Sequence, residues 1–462
     1  MVQTLKKVEN EEQLTMLLSA RGQSGPELTD ISDKKKLSNS EMMLCVAAWA
    51  ALRKGIEVEM HSLADYFGDR PLTDFSQTSL LERIAKADGI LLSGPVYFGD
   101  RSSLAHDLLR LIRNNEGIIQ GKVFAGLSVG AKRNGGQETC LIYQMQDFLH
   151  EGCIAVGNDS GTTSQYGGTC HAGEMGSGTD DAYGVRTTIG TGNRIAEVIK
   201  LLDMAKPFRL KDKPRIGMFI LQDKKGLCTD FVRRSIIDSP LADKADFKLF
   251  DLAEETVRRC LGCVVCPREI GPDAEYRCTV RNKDDIFSRI HTDLADLDAM
   301  LFGGYSPIRF AGLSSIYQSF IERTRYIRRS DYLFANRLVA PFLLQDIGSS
   351  EHLSIRIMTS TIRHNTIMHR PIVFHRGEDG IIGADKTIAH LDNFVNTASV
   401  TTAGKLLFSA DTENQTKYQP FGYTLSSQRD AEPETVRIRQ ALYRKRHENV
   451  LKNIAERLEK IA

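Results

Sequence analysis

The chain has almost no net charge: 60 Lys and Arg against 59 Asp and Glu leave a formal +1 over 462 residues. A surface without a dominant sign has no electrostatic footprint for general nucleic-acid binding or for an anionic membrane. Long apolar runs are missing as well. No stretch approaches the roughly 20 uninterrupted apolar residues that span a bilayer, and the opening MVQTLKKVENEEQLTM has no apolar core of signal-peptide length. There is no Ser-His-Asp order, no P-loop and no HExxH, and GTGNR at Gly190 lacks the strand context of a dinucleotide fingerprint. A cytoplasmic protein with a small-molecule substrate is the expectation, with neither nucleic acid nor membrane as partner.

What is present is ordinary globular composition, 41% hydrophobic and 26% charged, which excludes disorder and fibrous classes. The length predicts two or three domains, each able to bury a core without disulfides. Strands alternate with helices from the start, which implies a parallel sheet covered on both faces. The apolar run Leu14 to Ser19 reads as a buried strand opening into a long loop. That loop runs to Ser38-Asn39-Ser40, where the helical pattern EMMLCVAAWAAL begins behind a good cap. A strand is expected near Ile56 to Met60, and others at GILLSGPVYFG, KVFAGLSVG and CIAVG.

Charge and proline in KPFRLKDKP interrupt the pattern at residues 206–214, and a similar order then restarts with PRIGMFILQ, ADFKLFDL, AMLFGG and APFLLQDIG. KADGILLSGPVYFGDRSSLAHDLLRLIR aligns with LDAMLFGGYSPIRFAGLSSIYQSFIERTR as an internal repeat of fold order. The expected domains are therefore 1–205, 206–410 and a C-terminal extension, 411–462. That extension reads as one long surface helix with an apolar stripe of Val436, Leu442, Val450, Ile454 and Leu458.

Polar loops of the first half fall after strand ends, where open α/β sheets bind ligands. Ser19, Arg21, Ser38, Asn39 and Ser40 offer hydroxyls, amides and a guanidinium suited to a phosphate at a helix N-terminus, although Ser38 to Ser40 also read as a plain helix cap. Pro95-Val96-Tyr97-Phe98-Gly99 sets an aromatic pair at one strand end. Gly135-Gly136-Gln137 after the next strand lets backbone approach a flat ligand, and Tyr166-Gly167 follows the strand after that. With these three loops in order, most of residues 14–203 resemble the flavodoxin-like FMN reductase families, which include the NAD(P)H:quinone oxidoreductases and the iron-sulfur flavoproteins.

The resemblance implies an α/β fold of two tandem flavodoxin-like doubly wound parallel sheets plus a C-terminal helix. It implies FMN, with phosphate contacts from Ser19, Arg21, Ser38, Asn39 and Ser40. Ring contacts would come from Pro95, Val96, Tyr97, Phe98, Gly99, Ser128, Gly135, Gly136, Gln137, Tyr166 and Gly167. One departure is the phosphate loop, with sixteen residues between Arg21 and Ser38. His171 in the YGGTCHAG loop is a candidate proton donor beside the ring, with Tyr97 as a second catalytic candidate; a surface histidine with no role is the alternative. NAD(P)H or a ferredoxin-like protein is the implied donor, and a quinone, free flavin or pathway intermediate the implied acceptor. A non-enzymatic electron carrier and a flavin-free structural relative are the rival readings.

Of nine cysteines, four (Cys260, Cys263, Cys266 and Cys278) fall within nineteen positions. Such crowding in a reducing compartment suggests metal ligation or redox chemistry. Followed by Asp284-Asp285, they resemble the CxxCxxC segment of iron-sulfur flavoproteins and of cluster-free relatives. A 4Fe-4S cluster, a tetrahedral zinc and a metal-free flavin-side loop all remain open here. Asp284-Asp285 reads as a helix N-cap pair. The second half lacks a Ser/Thr/Asn-rich phosphate loop, so one FMN per chain is expected. The repeat suggests a pseudo-dimer within one chain, or a homodimer, with the cysteine segment facing the Tyr97 and Gly136 loops. His364, His369 and His375 are spaced unlike any compact metal motif and read as helix followed by strand.

Overall fold

The computed structural model describes residues 1–22, 36–67, 74–162, 165–208, 210–263, 266, 275–309, 314–329, 332–410 and scattered positions from 434 to 459. Most of the expected C-terminal helix, including Val436, Leu442 and Val450, lies outside the described residues, as does most of the loop between Arg21 and Ser38. Chain contacts group into two units, Met1–Ile199 and Lys200–Ala462.

In the first unit the continuous apolar runs form β1 (Gly89–Pro95) and β2 (Val123–Gly130), which pair in parallel along their whole length. All eight residues of β2 are buried, as a central strand covered on both faces requires. Its other edge carries β3 (Ile154–Ala155) and then β4 (Gly168–His171), both parallel to it. The helices Asn39–Arg53 and Gln137–His150 pack on this sheet. Met42, Met43, Val46 and Trp49 from the first of these form a core with Leu127 and Val129.

Two expected strands are absent. Leu14 to Ser19 belongs to a helix, Glu11–Ser19, because Asn10 caps it, accepting from the Gln13 N–H at 2.9 Å, and Leu14 and Leu18, one turn apart, are the buried pair. Ser19 and Arg21 therefore follow a helix and not a strand. Residues 56–60 alternate half-buried Ile56, Val58 and Met60 with exposed Glu57 and Glu59, but they pair with no strand among the described residues.

The second unit is a parallel sheet in the order β6 (Asp246–Asp251), β5 (Arg215–Gln222), β7 (Ala299–Ser306), β8 (Leu338–Asp346). The free edge of β8 pairs first with β9 (Ile367–Met368) and then with β10 (Ile372–Gly377), which turns back through β11 (Gly380–Ile382). β7 admits no side chain at Gly303, where a Cβ would lie 1.5 Å from the Phe342 carbonyl oxygen. Phe219, Phe250 and Phe302 stack across three neighbouring strands, with ring centroids 4.5 and 4.7 Å apart. No helix among the described residues is long and apolar enough to cross a membrane.

The three histidines are spread apart by the fold. His364 and His369 are buried, hydrogen-bonded to Thr324 Oγ1 and Asn393 Oδ1 respectively, each at 3.0 Å, while His375 lies exposed on β10. Burial, aided by the Arg328 charge, lowers the pKa of His364 to about 3. An unfolded histidine takes its proton near about pH 6.5, so between these values the unfolded chain binds the extra proton and acid destabilises the fold, by up to about 1.4 kcal/mol per pH unit. Stability of this unit should fall as pH drops from about 6.5, and His364→Gln should make that slope shallower, leaving the part owed to His369, whose pKa burial also lowers. Urea midpoints across this range check it, and parallel slopes in the two proteins would count against a neutral buried His364.

Candidate functional site

The expected ligand loops of the first unit do gather at the carboxyl end of β1, β2 and β4. After β1 the chain turns tightly: Tyr97 N–H donates to the Asp100 carbonyl at 2.7 Å and Asp100 N–H returns to Tyr97 at 3.0 Å. Phe98 and Gly99 both adopt positive φ, 51° and 83°, and the rings of Tyr97 and Phe98 are left exposed. After β2, Gly136 has φ 96° and precedes the first turn of Gln137–His150. A Cβ on Gly136 would come within 3.0 Å of Gly99 Cα and 3.3 Å of Val96 Cγ1, so the two loops meet backbone to backbone.

Buried groups hold this junction. The Gln137 side chain receives the Gly135 N–H at 2.8 Å and donates to the carbonyls of Lys132, at 2.7 Å, and Cys170, at 3.2 Å, tying the loop to β4. Ser128 donates to the Gln137 carbonyl at 3.0 Å. Ser128 and Gln137 are both buried, so they shape the loop from beneath. Tyr166 is also buried, and Gly167 lacks a side chain for a local reason: a Cβ there would lie 2.3 Å from the Gly126 carbonyl oxygen of β2.

The residues expected around a phosphate are brought to the same edge by the segment after β4. Asn39 donates to the Glu174 carbonyl at 2.9 Å and accepts from the Gly178 N–H at 3.0 Å, and the Ser19 hydroxyl lies 2.8 Å from that of Thr179. Ser38 makes a full capping box with Glu41, each side chain receiving the other's backbone N–H. The Ser40 carbonyl accepts from Ser93 of β1 at 2.7 Å, which seats this helix N-terminus beside the strand end. Ser19, Ser38 and Asn39 thus spend their side chains on internal bonds.

His171, the last residue of β4, has neighbours that the linear pattern does not reveal. Its Nδ1 lies 3.0 Å from Asp181 Oδ2 and 3.0 Å from a guanidinium nitrogen of Arg133, and Arg133 is itself paired to Asp181. Burial alone would raise the Asp181 carboxyl. The backbone N–H groups of His171 and Gly184 and the Arg133 charge outweigh it and hold the carboxyl below the usual range. Arg133 lies in the AKRNGGQ loop, whose glycines draw attention away from it, and Asp181 lies in the Thr-Asp-Asp run before a helix, which reads only as a cap.

In the second unit Cys266 and Cys278 are buried and Cys260 and Cys263 partly exposed. Burial pushes the Cys266 thiol up to about 11, with Cys278, Cys263 and Cys260 adding to the shift. Among the described residues, however, no three His, Cys, Asp or Glu side chains converge as a metal site. Asp285 stands at the N-cap of the helix Ile286–Asp296, but its side chain makes no cap hydrogen bond, so Asp284 and Asp285 do not act as the expected cap pair. Asp284 pairs with Arg258 at the surface, while Asp285 forms a two-bond ion pair with Arg323, at 3.0 and 2.9 Å, in which both side chains are fully buried. Arg323 also donates to the Arg258 carbonyl and to the Tyr276 hydroxyl, which anchors the cysteine segment two residues before Cys260 and two before Cys278.

A family model described as NADPH-dependent FMN reductase matches residues 31–165, the stretch that builds β1, β2 and their loops. An iron-sulfur flavoprotein of Methanocaldococcus jannaschii is 34% identical over 180 residues, which are 36% of this chain and 92% of that protein. The chain belongs to the iron-sulfur flavoprotein family. A second member, from Methanosarcina thermophila, is 33% identical over 134 residues, 28% of this chain and 65% of that protein. One from Archaeoglobus fulgidus is 22% identical over 144 residues, 30% of this chain and 66% of that protein. Membership carries the coarse assignment, a flavin-dependent oxidoreductase of mixed α/β fold. It also sets this member apart in size, since little more than a third of the chain spans nearly all of the Methanocaldococcus jannaschii protein.

Proposed function

We propose that the first unit holds one FMN and passes electrons from NAD(P)H to a small oxidised acceptor of quinone, flavin or related type. The observation that carries this reading is the junction of the Tyr97–Gly99 and Gly135–Gly136 backbones at the carboxyl end of β1 and β2. Open backbone and two exposed aromatic rings there suit a flat, electron-poor ring. Pro95, Val96, Tyr97, Phe98, Gly99, Gly135 and Gly136 would face that ring, with Ser128, Gln137, Tyr166 and Gly167 supporting the loops. Arg21, Ser40 and the open end of Asn39–Arg53 would take the phosphate, and Ser19, Ser38 and Asn39 would keep that end in place. Bound flavin supplies hydride acceptance and electron release, and the protein's part is to position it and exclude water.

The domain reading proposed is a flavodoxin-like lobe over 1–205, a second over 206–410 and an extension over 411–462. The order β6-β5-β7-β8-β10 supports it, because it matches the 2-1-3-4-5 order of flavodoxin-like sheets. So does the split edge strand of each unit, β3 then β4 beside β2, and β9 then β10 beside β8. The second lobe is proposed to bind no flavin. In the loop after β5, where a phosphate would sit, the Asp223 carboxylate accepts from the N–H groups of Lys224, Cys228 and Thr229 at 2.6, 2.9 and 3.0 Å. The strand ends beside it are filled by Tyr305, Asp346 and Arg376, which hydrogen-bond one another at 2.6–2.8 Å. Cys260, Cys263, Cys266 and Cys278 are the residues that a cluster would require, but because they do not converge, no electron step is assigned to them.

Anaerobic mixing tests the donor. NADH or NADPH should bleach the visible flavin absorbance of the purified protein within its turnover time. Absorbance that resists both nicotinamides and yields only to a chemical reductant or a reduced ferredoxin would replace NAD(P)H in this reading.

A further inference from the structure

Asp181 and Arg133 make opposite demands on one ring nitrogen of His171. Guanidinium can only donate, so it pairs with a bare Nδ1 and leaves the ring proton on Nε2. A carboxylate can only accept, so it pairs with Nδ1–H and leaves Nε2 as the nitrogen that trades a proton. Both contacts are 3.0 Å, and one ring state cannot satisfy both.

The surroundings favour the carboxylate. Asp181 Oδ2 is fixed by the backbone N–H of His171 at 2.9 Å, which locks it beside the ring it would orient. The Asp181 side chain is nearly inaccessible, whereas that of Arg133 is 35% exposed. Arg133 has other occupations: the salt bridge to Asp181, the Thr169 carbonyl at 3.5 Å and the face of Tyr183 at 5.1 Å. The imidazole is 41% exposed, at the end of the strand tied through Gln137 to the Gly135–Gly136 loop.

We propose that Asp181 is a positioning residue that fixes the Nδ1–H form of His171, so that Nε2 delivers the proton accompanying reduction of the acceptor. This assignment of roles rests on the flavin reading above. The proton balance is simple. A quinone-like acceptor gains an electron pair and one hydrogen originating in NAD(P)H. The imidazolium form of His171 gives the second hydrogen as a proton from Nε2 and is reprotonated by solvent. Throughout the cycle Nδ1–H stays on Asp181, so the ring need not turn between protonation states.

The tautomer is measurable without turnover. In the full chain as purified, carrying nitrogen-15 histidine, the neutral ring of His171, assigned by its loss in His171→Gln, should show Nδ1 protonated and Nε2 bare. Asp181→Asn should shift the population toward Nε2–H, and Arg133→Gln should leave Nδ1–H in place. In a second arm, Asp181→Asn and His171→Gln should each lower kcat for quinone reduction about 100-fold while the flavin content holds. A wild-type ring found as Nε2–H would overturn the proposal even if Asp181→Asn failed to fold. An Nδ1–H ring that persists in folded Asp181→Asn would do the same. A protein without flavin but with the expected tautomer would instead defeat the flavin reading and leave Asp181 as the orienting group.

Discussion

Arg323→Met is expected to destabilise the second unit by about 3–5 kcal/mol. Arg323 and Asp285 are both without solvent exposure, and Arg323 donates two hydrogen bonds to the carboxylate, so removing the guanidinium strands a buried carboxylate that keeps the Arg258 N–H at 2.9 Å. The packing loss is small by comparison, because methionine fills much of the same space against Phe287, whose ring lies 4.9 Å below the guanidinium. Denaturant unfolding should therefore show one transition moving strongly and the other little, the pattern expected when contacts group into two units. Adding Asp285→Asn should recover part of the loss, since the double change no longer buries an unpaired charge. The same variant should also expose Cys278 to alkylation, because Arg323 holds Tyr276 and the Arg258 carbonyl at either end of the cysteine segment. A shift under about 1 kcal/mol would mean that the pair is solvated in solution.

Gly136→Val should weaken flavin binding at least about 100-fold, or roughly 2.7 kcal/mol. The position has φ 96°, which a β-branched residue resists, and its Cβ would press on Gly99 Cα at 3.0 Å, a backbone atom that cannot swing aside. The two loops would be forced apart at the point where they meet. Gly117→Val provides the control: that glycine has φ 82° but open space around it, so the backbone strain is similar and the loop junction is untouched. Dialysis against apo-protein standards, followed by flavin fluorescence of the released cofactor, separates the two. Equal retention in both variants would show that the junction does not contact the cofactor.

The main strands of both units were legible because β1, β2, β5, β7 and β8 are continuous apolar runs, and buried parallel strands must be. β4 was read as a loop because Gly168-Thr169-Cys170-His171 has no such run; it is recruited by the edge of β2. Leu14–Ser19 misled for the opposite reason: Met16 extends the apolar run but is exposed, and the helical spacing of Leu14 and Leu18 is carried by only two residues. The long helix Ala384–Ser409 was missed although Leu391, Phe394, Val395 and Ala398 form a buried stripe at helical spacing; further on it buries Thr401, Thr402, Ala403 and Gly404, whose small or polar side chains carry a weaker signal. The loops at the carboxyl ends of β1 and β2 were legible from glycines and strand ends. Arg133 and Asp181, 48 residues apart in sequence, meet only through folding, and neither carries a local signature of the other. Asp285 was misread for the same reason, since its partner Arg323 lies 38 residues away.

The most direct test of the account is the flavin content of the purified 462-residue chain. Denaturing release followed by mass analysis should yield FMN at about one per chain in the wild type, falling toward zero in Gly136→Val and unchanged in a change confined to the filled edge of the second unit, such as Arg376→Met. FAD in place of FMN, about two FMN per chain, or FMN lost with Arg376→Met and kept with Gly136→Val would contradict it.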